Sequence, residues 1–266
     1  MHDTDSRRVG PLLRAWRHRR GVSQLELALR AGSSARHLSF LETGRARPSR
    51  GMVLRLAEHL EVPLRERNEL LVAAGYAPHY RQTGIDADEM QPVRAALDAL
   101  LAGHEPYPAV LVDRAWNLLA GNRATAVLTD GVAPQALAPQ PNVIRVALHP
   151  EGLAPRLVNL AEVRGHLLDR LKRQVALTGD ESLTALLEEV RGYPGPADGA
   201  GAHRERPQLF VPVRLRADGG ELALFSTVTT FGAPADVTLS ELAVESFYPA
   251  DQATATALRA LARSST

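Results

Sequence analysis

The sequence predicts two domains: an all-α domain of five short helices, followed by an α+β domain with an antiparallel sheet. Three observations carry this prediction. Through residues 1–76 the apolar residues recur at helical spacing between Gly and Ser breaks. From Leu209 to Val228 the apolar period falls to two, in two runs separated by "ADGG", with helical stretches before and after. Charge divides near the first boundary: residues 1–81 hold 15 Arg against 8 acidic residues, and the rest of the chain holds 16 basic against 22 acidic residues. The near-neutral total of +1 therefore hides a basic end suited to a polyanion. An Arg-rich solvated surface would give the same count, since Lys172 is the single lysine among 31 basic residues.

Each helix of the first domain has its own signals. Residues 7–20 place Leu12, Leu13 and Trp16 on one stripe amid Arg, and Gly21 ends the helix. Ser23 with Glu26 three residues on forms a capping box for "QLELALRA". Gly32 permits the next turn, and Ser34 caps a third helix, "ARHLSFLE". Helices over 49–60 and 64–76 then supply Leu54, Leu56, Leu60, Leu70 and Leu71 to the core. A Gly-containing turn between the second and third helices makes this a helix-turn-helix arrangement.

The third helix has two differently populated faces. Leu38 and Leu41 form an inward seam, while Arg36, Ser39, Phe40 and Thr43 recur on another side. The segment "SQLELALRAGSSARHLSFLETGRARPS" resembles the helix-turn-helix of the phage-repressor-like, or xenobiotic-response-element, family, with Gln24, Ala28, Gly32, Leu38, Glu42, Gly44 and Pro48 in the expected places. Small Ala28 and Gly32 suit a close crossing of two helices, and Gly44 suits the exit from the third. The resemblance implies a double-stranded DNA operator as partner, read by the third helix. Ala35, Arg36 and Ser39 fall where the family places base-reading side chains, beside Ser34 at the helix start, and Arg36 can take guanine O6 and N7 in a bidentate pair. Gln24, Arg45 and Arg47 fit phosphate contact, which positions without specifying. Phe40 either meets a thymine methyl or packs against its own domain.

Residues 77–85, "APHYRQTGI", read as a linker, leaving 1–76 and 86–266 as the domains. After it, "DADEMQPVRAALDALLAG" brings Met90, Val93, Leu97, Leu100 and Leu101 onto one helical stripe, with Pro92 near the helix start. "YPAVLVDRAWNLLAGNRATAVL" gives two short apolar runs about a turn at Asp113 and Arg114, then a helix opening near Asn122. Residues 142–192 read as helical, with one long amphipathic stretch over 155–178, and 193–207 as a loop. Leu209, Val211, Val213 and Leu215 share a strand face, Asp218 and Gly219 make the hairpin turn, and Leu222, Leu224, Ser226 and Val228 line the return. A third strand near 237–246 and a C-terminal helix complete a sheet covered on one side.

This region is similar to the ligand-binding domain of MmyB-like transcriptional regulators, a PAS-like sensor attached to this kind of helix-turn-helix. "VLVDRAWNLLAGNRATAVL" and "NVIRVALHPEGLAPRLVNLAEVRGHLL" carry the likeness, with Asn142, Arg145, His149, Arg156 and Asn159 in family-like positions. The resemblance implies a fatty-acid-like small molecule as ligand. The stretch "FSTVTTFGAPADVTLSELAVESFYPAD" is longer and more regular than in the broader family.

The residues themselves leave two readings of the ligand site. Phe225 and Phe231, with Thr227 and Thr229 between, share a face that could enclose an elongated pocket or a filled core. Arg145, His149 and Arg156 are either a clamp on a carboxylate or partners of Glu151, Glu162 or Asp169. Trp116 is a core or cavity-wall residue, and Asn122 and Asn159 are caps, backbone partners or ligand contacts.

Composition excludes other classes. With 45% hydrophobic residues and no apolar run near the ~18 residues a membrane span needs, the chain reads as a soluble globular protein with no membrane partner. "MHDTDSRR" lacks the apolar stretch of a secretory signal, which gives a cytoplasmic expectation. There is no cysteine, and the nine His show no close helical pairing, so no metal or other cofactor is expected. No phosphate loop, GxSxG elbow, HExxH or paired dinucleotide glycines appear, so no catalytic residue is named. The expected function is a DNA-binding transcriptional regulator acting as a homodimer, since one recognition helix reads only a few base pairs. Its second domain either senses a ligand or only dimerises.

Overall fold

The computed structural model describes residues 8–196, 210–217 and 219–264. They form two compact units: residues up to 83 with the short segments 176–178 and 233–240, and the remainder from 84 on.

The first unit holds α1 (Val9–Arg19), α2 (Gln24–Arg30), α3 (Ala35–Glu42), α4 (Arg50–His59) and α5 (Leu64–Ala73). Ser23 and Ser34 start helices as the expected N-caps, Ser23 Oγ accepting from Glu26 N and Ser34 Oγ from His37 N, and Ser49 adds a third, its Oγ accepting from Met52 N, all at 3.1–3.2 Å. Leu13, Trp16, Leu27, Ala28, Leu38, Leu41, Leu56, Leu60, Leu70 and Leu71 are buried together. On α4 the inward stripe is Val53, Leu56, Ala57 and Leu60, and Leu54 is only half-buried at its edge. α5 stops before the expected residue 76, because Gly75 turns the chain with φ +86°.

Two glycines differ in purpose. Gly32 sits at φ +62°, where an L side chain is strained, yet a Cβ there would meet nothing closer than 3.9 Å. It serves the turn, and the close helix approach expected of it belongs to Gly10. A Cβ on Gly10 would lie 2.6 Å from Leu41 O and 2.8 Å from Glu42 O, so this glycine lets α1 rest on the end of α3.

The second unit begins with α6 (Gln91–Gly103), then β1 (Ala109–Val112), β2 (Leu118–Gly121), α7 (Ala126–Thr129), α8 (Val143–Leu148), α9 (Leu160–Thr178), α10 (Glu181–Arg191), β3 (Val213–Ala217) and β4 (Gly220–Thr230). A single helical turn, α11 (Val237–Ser240), falls in the first unit, and β5 (Ala243–Pro249) and α12 (Gln252–Ser264) end the chain. The five strands form one antiparallel sheet in the order β2-β1-β5-β4-β3.

Several expectations change. The strand expected over 237–246 starts only at Ala243, because Asp236 Oδ1 accepts from Thr238 N (2.8 Å) and Leu239 N (3.3 Å) and winds the chain into α11. The stretch expected as one helix over 155–178 is broken at Asn159. Its Oδ1 accepts from Arg214 N and its Nδ2 donates to Pro212 O, while Val158 N bonds Arg214 O, so the chain runs extended beside β3 before α9 begins. Leu100 is exposed rather than on the buried stripe of Met90, Leu97 and Leu101. All four residues of β1 are buried and α6 contacts this strand, so the sheet is covered on more than one side there. Leu209, Asp218 and most of the 193–207 loop lie outside the described residues.

Candidate functional site

Two places merit description, one in each unit. In the first, α3 buries Leu38 and Leu41 and leaves Arg36 exposed, with Ala35, Ser39 and Phe40 half-buried beside it. The Arg36 guanidinium lies 5.4 Å from the Phe40 ring centroid, a cation–π arrangement that directs it along the helix surface. Arg45 and Arg47 are exposed in the loop after α3, and Ser34 is exposed at its start with its Oγ engaged as cap. Gln24 is placed differently: its Nε2 donates to Glu42 Oε2 at 2.8 Å. Glu42 also receives Arg17, Nε to Oε1 at 2.6 Å and Nη2 to Oε2 at 2.9 Å, a bidentate pair sealed from solvent. Burial alone would raise the Glu42 carboxyl, but the bonds from Arg17 and Gln24 outweigh it and hold it below its ordinary value. This network fixes the end of α3 to α1 and the start of α2.

In the second unit a cavity opens between α8, α9 and one face of the sheet. Its wall is mostly apolar: Val110, Leu118, Val143, Ile144, Ala147, Val163, Leu167, Val213 and Phe247 among others. The sheet side comes from one parity of strand residues, since Val110 pairs with Glu245 and Ser226 with Phe247. Polar groups gather at one part. Ser226 Oγ donates to Glu245 Oε1 at 2.8 Å, and Arg170 Nη1 donates to the same oxygen at 3.3 Å. The Arg170 guanidinium lies 3.9 Å from the Trp116 ring centroid, and Trp116 Nε1 donates to Gln174 Oε1 at 2.7 Å. His166 lines the same region; burial, then Arg170 and Arg173, hold its pKa below the usual histidine value, so it is neutral at pH 7.

Trp116 is the one ligand candidate from the sequence that lines this cavity. It takes φ +68°, strained for a bulky residue and fixed by the turn in which Asp113 Oδ1 accepts from Ala115 N and Asn117 N at 2.9 Å. The others are engaged elsewhere. Arg145 pairs with Glu189 in two bonds of 2.7 and 2.8 Å, not with Glu151, Glu162 or Asp169. Glu189 also takes the Tyr193 hydroxyl, whose pKa burial and this carboxylate push up to about 12. His149 packs edge-on against Tyr193, and its Nδ1 accepts from Glu151 N. Arg156 donates to the carbonyls of Val127, Asp130 and Arg216. Arg145, His149 and Arg156 therefore do not converge on the cavity. Asn142 caps α8 and reaches Ala115 O, and Asn122 bonds Ala109 N, Leu101 O and Tyr107 O. Phe225 faces away from the cavity side of β4, stacked on Tyr248 and met by a tilted Phe210, ring centroids 5.3 Å from each, and Phe231 lies beyond the end of β4.

Sequence reasoning missed His166, Arg170, Ser226 and Glu245. A signal existed: Val163, His166, Leu167, Arg170 and Gln174 form one helical stripe in which polar residues interrupt apolar ones.

A family model for the MmyB-like transcription regulator ligand binding domain matches residues 93–261. The chain belongs to this family. The cavity lies within the matched MmyB-like region, and a model for a helix-turn-helix domain matches residues 8–70, covering α1 to α4 and most of α5. Together the two domains support a ligand-responsive transcription regulator, and such regulator domains are in general not enzymes. A search of curated proteins gave no match. Among solved structures, an RNA-binding light-oxygen-voltage receptor aligns at 12% identity and a TM-score of 0.27, covering 96% of this chain. The chain spans 63% of that receptor's length. No helix among the described residues is long and apolar enough to cross a membrane.

Proposed function

We propose that this MmyB-like regulator reads a DNA operator through α3 and answers to a long, mainly apolar, fatty-acid-like molecule held in the cavity of its second domain. The cavity carries the reading: a concave apolar space with a few converging polar groups at one part is the form a small-molecule site takes, and a filled dimerisation core would lack it. The strand order β2-β1-β5-β4-β3 with helices over the cavity face supports a PAS-like sensor. On the DNA side, Arg36 supplies base readout with Ala35 and Ser39, Arg45 and Arg47 hold phosphates, and Ser34 and Phe40 frame the contact. Gln24 reaches phosphate only from a side chain already steadied by Glu42. Two copies supply the operator's two half-sites.

Ligand changes operator affinity only through a difference in its affinity for DNA-competent and incompetent arrangements. Operator affinity of delipidated and decanol-loaded protein at fixed salt tests this, with loading checked by mass spectrometry. Equal affinities would leave the second domain a structural partner. For readout, Arg36→Ala should cost ~1–3 kcal/mol on operator and relax preference at one base pair, while Arg45→Ala weakens all duplexes alike. Equal loss on operator and random duplex for Arg36→Ala would remove that residue from readout.

A further inference from the structure

At the polar end of the cavity the charges are already matched. Glu245 is 7% exposed, and both of its donors, Ser226 Oγ and Arg170 Nη1, converge on Oε1. No described residue donates to Oε2. Arg170 is committed twice, to Glu245 by an edge and to Trp116 by a face. His166 makes no hydrogen bond among the described residues. The end of the cavity thus offers an acceptor at Glu245 Oε2 and an imidazole that can donate or accept, with no unmatched positive charge.

We propose, resting on the reading of the cavity as a ligand site, that the cavity selects a long-chain molecule with a neutral hydrogen-bonding head, a hydroxyl or amide, over the same chain ending in a free carboxylate. A neutral head can donate to Glu245 Oε2 and meet His166, satisfying groups that are otherwise half-used. A carboxylate beside Arg170 would instead share one guanidinium with Glu245, and because the bound chain displaces the water of the cavity, the like charges repel strongly. Arg173 and Asp169 also bear on His166, but both are exposed, Asp169 is paired with Lys172, and none of the three lines the cavity, so they place no charge inside it. A carboxylate is held there only together with a proton, either shared with Glu245 or on His166, whose neighbours Arg170 and Arg173 oppose it. Carboxylate binding should then take up a proton, whereas binding of a neutral head should not.

The test uses the full chain and three ligands of equal length, decanol, decanamide and decanoate, below their aggregation limits, by isothermal calorimetry. At about pH 8 the wild type should bind decanol or decanamide at least about tenfold more tightly than decanoate. Glu245→Gln removes the competing charge and keeps the shape, and should raise decanoate affinity relative to decanol by about tenfold. On the wild type alone, decanoate affinity should rise between about pH 8 and about pH 6 while decanol affinity stays flat. Decanoate binding as tightly as decanol, an unchanged ratio in a folded Glu245→Gln, or a flat decanoate profile each overturns the selectivity and leaves the cavity reading standing. Failure of all three ligands to bind overturns both.

Discussion

Each domain contains a semi-buried Arg–Glu pair, and the two pairs are used in opposite ways. Arg17 and Glu42 expose 8% and 1% of their side chains, meet through two bonds, and have Gln24 on the remaining side. Arg170 and Glu245 expose 19% and 9%, meet through one longer bond, and open onto a cavity. The first pair is closed by core and acts as a clamp that fixes α3. The second is left partly unsatisfied, and that gives it chemistry to offer. A difference in what surrounds the pair, not in the pair itself, separates scaffold from site.

The largest expected effect breaks the closed pair. Glu42→Ala strands Arg17 in the core and should cost ~3–5 kcal/mol, whereas Glu245→Ala leaves Arg170 stacked on Trp116 and reachable by water and should cost roughly 1 kcal/mol. Urea unfolding of both variants checks the contrast, and equal losses would end it. The closed pair also has a pH signature. The Glu42 carboxyl is held below its ordinary value of 4.5, so its stabilisation is full above about that pH and is lost as pH falls through the lower folded value. Glu42→Gln should flatten that acid limb.

Next in size is backbone packing in the first domain against free space in the second. Gly10→Ala drives a Cβ onto the carbonyls of Leu41 and Glu42 and should cost ~1–3 kcal/mol, read as a lowered midpoint. Ala147→Leu adds more atoms, but into the cavity, and should change stability by under about 1 kcal/mol while abolishing decanol binding. A large loss of stability from Ala147→Leu would mean that the wall has no room to spare.

The helical periodicity and the capping serines made the first domain legible, because α-helical contacts are local and Ser23 and Ser34 each act within three residues. The cavity was not legible in the same way. Arg170 and Glu245 are 75 residues apart, and the parity that turns Ser226 inward and Phe225 outward depends on register with β5. Arg145 was read beside its sequence neighbours, but its partner Glu189 arrives from α10. Asn159 does pair with backbone, one of the roles its residue type suggests, but that the backbone is that of Pro212 and Arg214 beside β3, and that this pairing interrupts the helix, periodicity alone could not tell.

The guanidinium lying on Trp116 also has an optical consequence. The chain has two tryptophans, Trp16 in the core of the first domain and Trp116 in the cavity wall. With Trp16→Phe, all indole emission comes from a ring under a cation and bonded through Nε1 to Gln174. An occupant that shifts Arg170 changes the field across that ring, so the colour and intensity of the emitted light become a direct record of what the cavity holds.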